Sequence, residues 1–384
     1  MISMMIRAIL RGIFRTLFLF PIDKKLVLID SMWGKGVTDN GKYYLEYALQ
    51  KGAEDGTRYV WGLRKPKEEP ERDRVRYVKY KGAAWFWYHA RAKTILYSHH
   101  LYNYLPLRKG QNNIFMWHAG GAYKRIGQNV AGNTEKERQL HRYRNTVINH
   151  EGNIFLSSSE GFTKYNILET YGFTGRIEQT GMPRNDIFFR PERVTEVAQK
   201  VRKAFGIGEE KTVILYAPTF RATKEKSRET RPDLERARAA AREKTGRDAV
   251  ILYRCHYYEE SSVESGGAIY DASEYPDMQE LLCCADMLIT DYSSCIWDYS
   301  FLGRPCFLYV PVLEEYTDKE QGLFTPIETW PGRVCRNMDE LDRAIRDDTD
   351  FQQMDEAHHR LMGSYEDGKA CERLYQLMEE LKVG

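Results

Sequence analysis

Past Pro21, short apolar runs alternate with amphipathic stretches along almost the whole chain. The runs at 26–30, 58–61, 94–98, 113–117, 153–157 and 176–180 predict β-strands. Helices are expected between them at 41–51, 83–92 and 159–171; the last begins at Ser159, a capping residue, and stops at Gly172. The alternation then restarts, with strands predicted at 212–217, 249–254, 286–290 and 306–310. Segment 181–192 carries two prolines and breaks the pattern, so a domain junction is placed there. The expectation is an α/β fold with parallel sheets. It has two α/β domains, 23–186 and 187–363, preceded by segment 1–22 and followed by a C-terminal helix over 364–384.

Segment 2–22 is apolar but carries Arg7, Arg11 and Arg15. Its longest uncharged run, 16–22, is far short of the ~20 residues that span a bilayer. Spacing of four puts the three arginines on one helical face, with Met5, Ile6, Ile9, Leu10, Ile13, Leu17 and Phe20 over much of the remainder. This predicts an amphipathic helix lying in the interface of an anionic leaflet. The competing expectation is a helix packed on its own domain with its arginines in solvent. A second basic stretch, 221–247, holds ten Lys/Arg against five Asp/Glu. A helix is expected within it at 232–245, either as a solvated charged face or as a further contact with a membrane or polyanion.

Length and charge narrow the classes. At 384 residues the chain exceeds one ordinary core, and 42% hydrophobic residues exclude a mainly disordered protein. Lys and Arg number 57 against 55 Asp and Glu, which excludes a strongly basic nucleic-acid coat protein. The seven cysteines form no CxxC pair and no zinc spacing, so they read as reduced, buried thiols of a cytosolic protein. No metal site and no cofactor are called for.

Four loops after predicted strands are rich in phosphate-binding groups. The first runs from Trp117 and His118 through Gly120 and Gly121 to Lys124 and Arg125, offering a base, close backbone approach and positive charge. The second carries Pro218, Thr219 and Arg221, and the third Arg254 and His256. In the fourth, Asp291, Ser293 and Ser294 precede an apolar, helix-compatible run at 295–302, where a helix N-terminus favours an anion. Each loop alone has a plain structural explanation, as a turn, a carbonyl contact or an N-cap. The ordered set of four points to a nucleoside-diphosphate donor. No GxxxxGK[ST] loop marks a P-loop NTPase, and no strand-linked GxGxxG marks a dinucleotide dehydrogenase.

The segments WHAGGAYKRIG, TGMPRNDIF, ILYAPTFR, the Arg254–His256 triplet and LLCCADMLITDYSSCIWDYSFLGRPCFLYVP resemble the CDP-glycerol glycerophosphotransferase family of teichoic-acid and capsule enzymes. MWGKGVTDNGKYYLEYAL resembles the start of that family's first domain, and the likeness covers about residues 26–335. The resemblance implies two facing Rossmann-like domains of the glycosyltransferase-B type. It implies transfer of glycerol phosphate from CDP-glycerol to a hydroxyl on an undecaprenyl-diphosphate-linked saccharide at the cytoplasmic face of the cell membrane. It also assigns the family's two key histidines to His118 and His256. Thr219, Arg221, Arg254, Asp291, Ser293 and Ser294 are then donor-binding candidates, and Gly120, Lys124, Arg125 and Asn185 contact phosphate or acceptor.

Three departures stand out. The loop after His118 is one residue longer than the family's commoner form, the proline after the second histidine is replaced by Tyr257, and Gln321 precedes Gly322 where an arginine is common. Ribitol against glycerol, single addition against polymer and the oligomeric state stay open, although the compact length points to a primase-like addition. Alternatives are a sugar-nucleotide glycosyltransferase or epimerase on the same fold, and a catalytically dead membrane scaffold.

Overall fold

In a computed structural model of the chain, every predicted apolar run forms a strand. The structure describes residues 4–52, 56–69, 72–99, 105–150, 152–219, 230–255 and 267–383. The strands are β1 (Asp23–Asp30), β2 (Arg58–Leu63), β3 (Val75–Lys79), β4 (Ala92–Tyr97), β5 (Asn112–Phe115), β6 (Asn153–Leu156) and β7 (Arg176–Glu178), then β8 (Thr212–Tyr216), β9 (Ala249–Tyr253), β10 (Ile269–Asp271), β11 (Met287–Thr290), β12 (Cys306–Tyr309) and β13 (Arg333–Cys335). They form two sheets, ordered β3-β2-β1-β4-β5-β6-β7 and β10-β9-β8-β11-β12-β13, and the named strands pair in parallel throughout. In both, strand order reverses beside the first strand of the sheet, between β1 and β4 and between β8 and β11. Such switch points open a crevice at the carboxyl ends of the strands.

The strands without a counterpart in the sequence pattern, β3, β10 and β13, are all sheet edges. Their residues are mostly exposed or half-buried, so no continuous apolar run marks them. Central strands such as β8, β9 and β11 are buried at every residue.

The chain divides into two compact units: Met1–His118, Thr134–Asp186 and Tyr365–Gly384 in one, Ala119–Asn133 and Ile187–Ser364 in the other. Residues 119–133 therefore cluster with the second unit although they fall inside 23–186. Backbone bonds hold them there: Arg125 N–H to the Gly322 carbonyl (2.9 Å), Ala131 N–H to that of Gln321 (3.1 Å) and Phe324 N–H to that of Tyr123 (2.8 Å). The helix Ala370–Val383 joins the first unit. Leu374, Leu377 and Met378 pack in one core with Tyr44 and Leu45. Its first turn is tied down by Asp186, whose carboxylate accepts the N–H groups of Ala370 (2.9 Å) and Cys371 (2.8 Å).

Ser159 caps the next helix as expected, accepting from Phe162 N–H at 2.9 Å, and Gly172 ends it with φ 57°. The body between is different: Thr163–Thr170 is a π-helix rather than an α-helix. The helix Leu234–Thr245 is capped by Asp233 and stopped by left-handed Gly246. Three of its four cations are engaged nearby, Arg236 with Asp339 (2.7 Å), Arg238 with Glu235 (2.7 Å) and Lys244 with Asp348, which fits a solvated charge-paired face. All seven cysteines are buried and none forms a disulfide.

The N-terminal helix runs Met4–Thr16 and continues as a 3₁₀ turn, Leu17–Leu19. Phe14 is its buried anchor, edge-on to Phe86 and to His89 of the helix Ala83–Arg91. Ile9 (55%), Ile13 (62%) and Leu19 (87%) remain exposed. No helix among the described residues is long and apolar enough to cross a membrane.

Candidate functional site

At the β8/β11 switch point, the Asp291 carboxylate is the organising group. It accepts the Thr219 N–H (2.8 Å), the Thr219 hydroxyl (2.9 Å) and the Tyr292 N–H (2.6 Å). Burial pushes its pKa up, against the opposing pull of those bonds and of the Lys124 charge. Lys124 is pushed down by desolvation, while Asp291 favours its charged form. The loop carrying Lys124 is fixed by Arg125, whose Nε donates to the Leu323 carbonyl (3.1 Å), and by Gln321, whose amide donates to the Arg125 carbonyl (2.5 Å). Gln321, one of the departures in the sequence, thus has a definite task in holding this turn. Gly120 makes its close approach to the Trp297 indole, since a Cβ there would lie 2.1 Å from the ring.

Two hydroxyls follow Asp291. Ser293 Oγ accepts a long bond from Cys295 N–H (3.4 Å), and Ser294, the N-cap of the short helix Cys295–Tyr299, makes no side-chain capping bond. The 295–302 run is this helix followed by a 3₁₀ turn, Ser300–Leu302. At the neighbouring end of β9, half-buried Arg254 donates through Nη1 to the Tyr275 carbonyl (2.7 Å). A concavity at this edge is lined by Tyr216, Thr290, Asp291, Tyr292 and Tyr309 among others. Arg221 and His256 lie outside the described residues.

Beyond the carboxyl ends of β4 and β5 in the first unit, His118 Nδ1 sits 2.8 Å from the Ser98 carbonyl oxygen. A carbonyl only accepts, so Nδ1 is the donor in this bond. The Trp117 ring lies 4.5 Å from the imidazole, centroid to centroid. Backbone strain gathers here: Met32 (φ 44°), Trp33 (φ 53°), Asp39 (φ 62°) and Trp117 (φ 54°) all occupy the left-handed region without being glycine.

Asn185, expected as a phosphate or acceptor contact, is fully buried, and its amide donates to Glu366 (2.9 Å). Its neighbour Arg184 reaches the His118 carbonyl instead, at 2.9 Å. Arg184, Asp39 and Asn40 were not singled out in the sequence, though TDNG and PRND fall in the quoted motifs. Nor was Asp30, whose wholly buried carboxyl lies 3.6 Å from His99 Nε2 and is pushed by burial to a pKa of about 8.

The sequence matches the profile of the CDP-Glycerol:Poly(glycerophosphate) glycerophosphotransferase family over residues 13–380. The chain belongs to this family of enzymes. It is 28% identical over 379 residues to the teichoic acid glycerol-phosphate transferase of Staphylococcus aureus, covering 92% of each protein. It is 27% identical over 333 residues to the teichoic acid poly(glycerol phosphate) polymerase of Bacillus subtilis; there the match takes in 85% of this chain but only 44% of the relative. A variant of the wall teichoic acid polymerase TagF soaked with CDPG superposes with a TM-score of 0.81 at 24% identity, over 98% of this chain and 94% of that one. The α/β fold of this chain, with its two parallel sheets, is thus similar to that of TagF.

Proposed function

We propose that the protein transfers glycerol phosphate from CDP-glycerol to a hydroxyl of an undecaprenyl-diphosphate-linked saccharide, in a primase-like step of teichoic-acid or capsule synthesis. The observation that carries this reading is the His118 imidazole just beyond the carboxyl end of β5, with its Nδ1 held by the Ser98 carbonyl. An imidazole so held takes a proton from an alcohol near neutral pH. The acceptor oxygen attacks the β-phosphorus of the donor; a new P–O bond forms as the bond to CMP breaks, and CMP leaves with the electron pair.

The donor phosphates are assigned to the second unit. Lys124 and Arg254 supply positive charge there, and Ser293 and Ser294 supply hydroxyls. Thr219 and Asp291 shape the edge between them, and Arg221 and His256 complete the set. The glycerol-phosphate enzymes among the relatives and the CDPG-soaked TagF structure support a CDP-glycerol donor.

Exposed Ile9, Ile13, Leu19 and Phe20, next to Arg15, support an interfacial role for the N-terminal helix on the anionic cytoplasmic leaflet. Arg7 and Arg11 belong to the same charged face in this reading. The helix brings the enzyme to its lipid-linked acceptor.

The test is incubation with a lipid-disaccharide acceptor and CDP-glycerol, CDP-ribitol or UDP-sugars in turn. CMP release and a mass gain of one glycerol phosphate are expected with CDP-glycerol. UDP release identifies a sugar transferase, conversion of a UDP-sugar to its epimer without UDP release identifies an epimerase, and no change in any donor identifies a scaffold.

A further inference from the structure

Trp117 holds a left-handed backbone that a large aromatic residue rarely adopts, at φ 54°, immediately before His118. Such a conformation persists only where its surroundings over-determine it. The groups responsible come from distant parts of the first unit. Asn40 Nδ2 donates to the carbonyls of Met116 (3.2 Å) and Trp117 (2.9 Å), and Arg184 Nη1 donates to that of His118 (2.9 Å). Three consecutive carbonyls are therefore held by two side chains. Those side chains are joined in turn: Arg184 N–H donates to Asn40 Oδ1 (3.1 Å), and Arg184 Nη1 also donates to Asp39 Oδ1 (2.8 Å). Asp39, Asn40 and Arg184 are all buried.

A buried ion pair contributes little net stability, because desolvation offsets the attraction. What the Arg184–Asp39 pair does supply is direction. With Asp39 fixing its guanidinium, Arg184 is held on the His118 carbonyl. The imidazole is fixed separately through Nδ1 on Ser98. The backbone and ring of His118 are thus pinned by independent contacts. We propose that Arg184, oriented by Asp39 and acting with Asn40, is a positioning residue for His118. This rests on the reading of His118 as the base, since positioning matters for turnover only if that imidazole takes part in the reaction.

The test is a double-mutant cycle on the full-length protein, with CDP-glycerol and a soluble acceptor analogue. Lysine retains a charge for Asp39 but lacks the planar fork that orients the guanidinium. Arg184→Lys is expected to lower kcat by ~10–100-fold, the scale of a misplacement near 1 Å, with the donor KM unchanged. In a His118→Ala background the same substitution should cost nothing further. An equal loss in both backgrounds, or a change confined to KM, overturns the proposal. If Arg184→Lys does not unfold cooperatively, Asn40→Ala goes through the same cycle with the same expectations.

Nitrogen-15 spectra of labelled histidine give a readout apart from activity, with His118 assigned by its loss in His118→Ala. The wild type should show a single narrow His118 signal, and Arg184→Lys a shifted or broadened one as the backbone carrying the ring moves. An unchanged His118 signal overturns positioning. Wild-type turnover in His118→Ala overturns the base reading instead, whatever the spectra show.

Discussion

Thr219 donates both its backbone N–H (2.8 Å) and its hydroxyl (2.9 Å) to the carboxylate of Asp291. The two residues follow β8 and β11, the strands flanking the switch point of the second sheet, so this two-bonded clip holds its lips in register. A hydrogen bond to a charged group is worth about 1.5–3 kcal/mol. Thr219→Val, which keeps the shape and removes the hydroxyl, should lower stability by about that amount in urea titrations. It should also weaken CDP-glycerol binding through the displaced Asp291 loop. Unchanged values for both would show that the backbone bond suffices.

His118→Ala should lower kcat by ~10²–10⁴-fold while leaving donor affinity nearly intact, as expected for loss of a general base. Pre-steady-state turnover together with calorimetric binding of CDP-glycerol separates the two quantities.

Ser294→Ala and Arg254→Ala should do the opposite, weakening CDP-glycerol binding by ~10–100-fold each, the worth of one charge-assisted phosphate contact. Ser294 makes no capping bond, so its hydroxyl carries no helix-stabilising role that the alanine would remove. Calorimetry showing unchanged donor affinity in Ser294→Ala would take that hydroxyl out of the phosphate site.

Asp355 is buried with neither carboxyl oxygen hydrogen-bonded among the described residues, and burial raises its pKa to about 8. The folded value lies above the unfolded one, so the native state binds the proton more tightly. Stability is therefore lost as pH rises from near 4, where the unfolded carboxyl ionises, toward 8. Asp355→Asn should stabilise the protein by on the order of a few kcal/mol at pH 8 and scarcely at pH 4. Urea midpoints at the two pH values test this; an equal gain at both would assign the effect to packing.

Ile9 and Ile13 are exposed, four residues apart on the N-terminal helix, whereas Phe14 anchors that helix to its own unit. Ile9→Glu combined with Ile13→Glu should abolish binding to anionic vesicles, with the unfolding midpoint and turnover on a soluble acceptor analogue unchanged. High salt should weaken wild-type vesicle binding only partly, because apolar burial is not screened. Sedimentation with vesicles at two salt concentrations reads both effects. Full retention of binding in the double variant would move the membrane contact elsewhere.

Much of this protein is local and was legible as such. Central parallel strands are buried on both faces, so β1, β8 and β11 stand out as continuous apolar runs. Caps at Ser159 and Asp233 and stops at Gly172 and Gly246 act within one turn of their own sequence. Asp291 was visible because it directly follows β11, and His118 because it follows the apolar run at 113–117.

Tertiary structure decided the rest, because its contacts join positions that no local pattern relates. The edge strands β3, β10 and β13 exist through pairing with a neighbour, not through their own apolar character. Residues 119–133 look like a continuation of the first half, yet their backbone bonds lie with 320–324. Arg184 and Asn185 are adjacent and equally polar. Only the packing sends one side chain to Glu366 and the other to Asp39, 145 positions away, and to the His118 carbonyl. Sequence marks which residue types stand at a strand end; hydrogen bonds across the fold select the ones that meet.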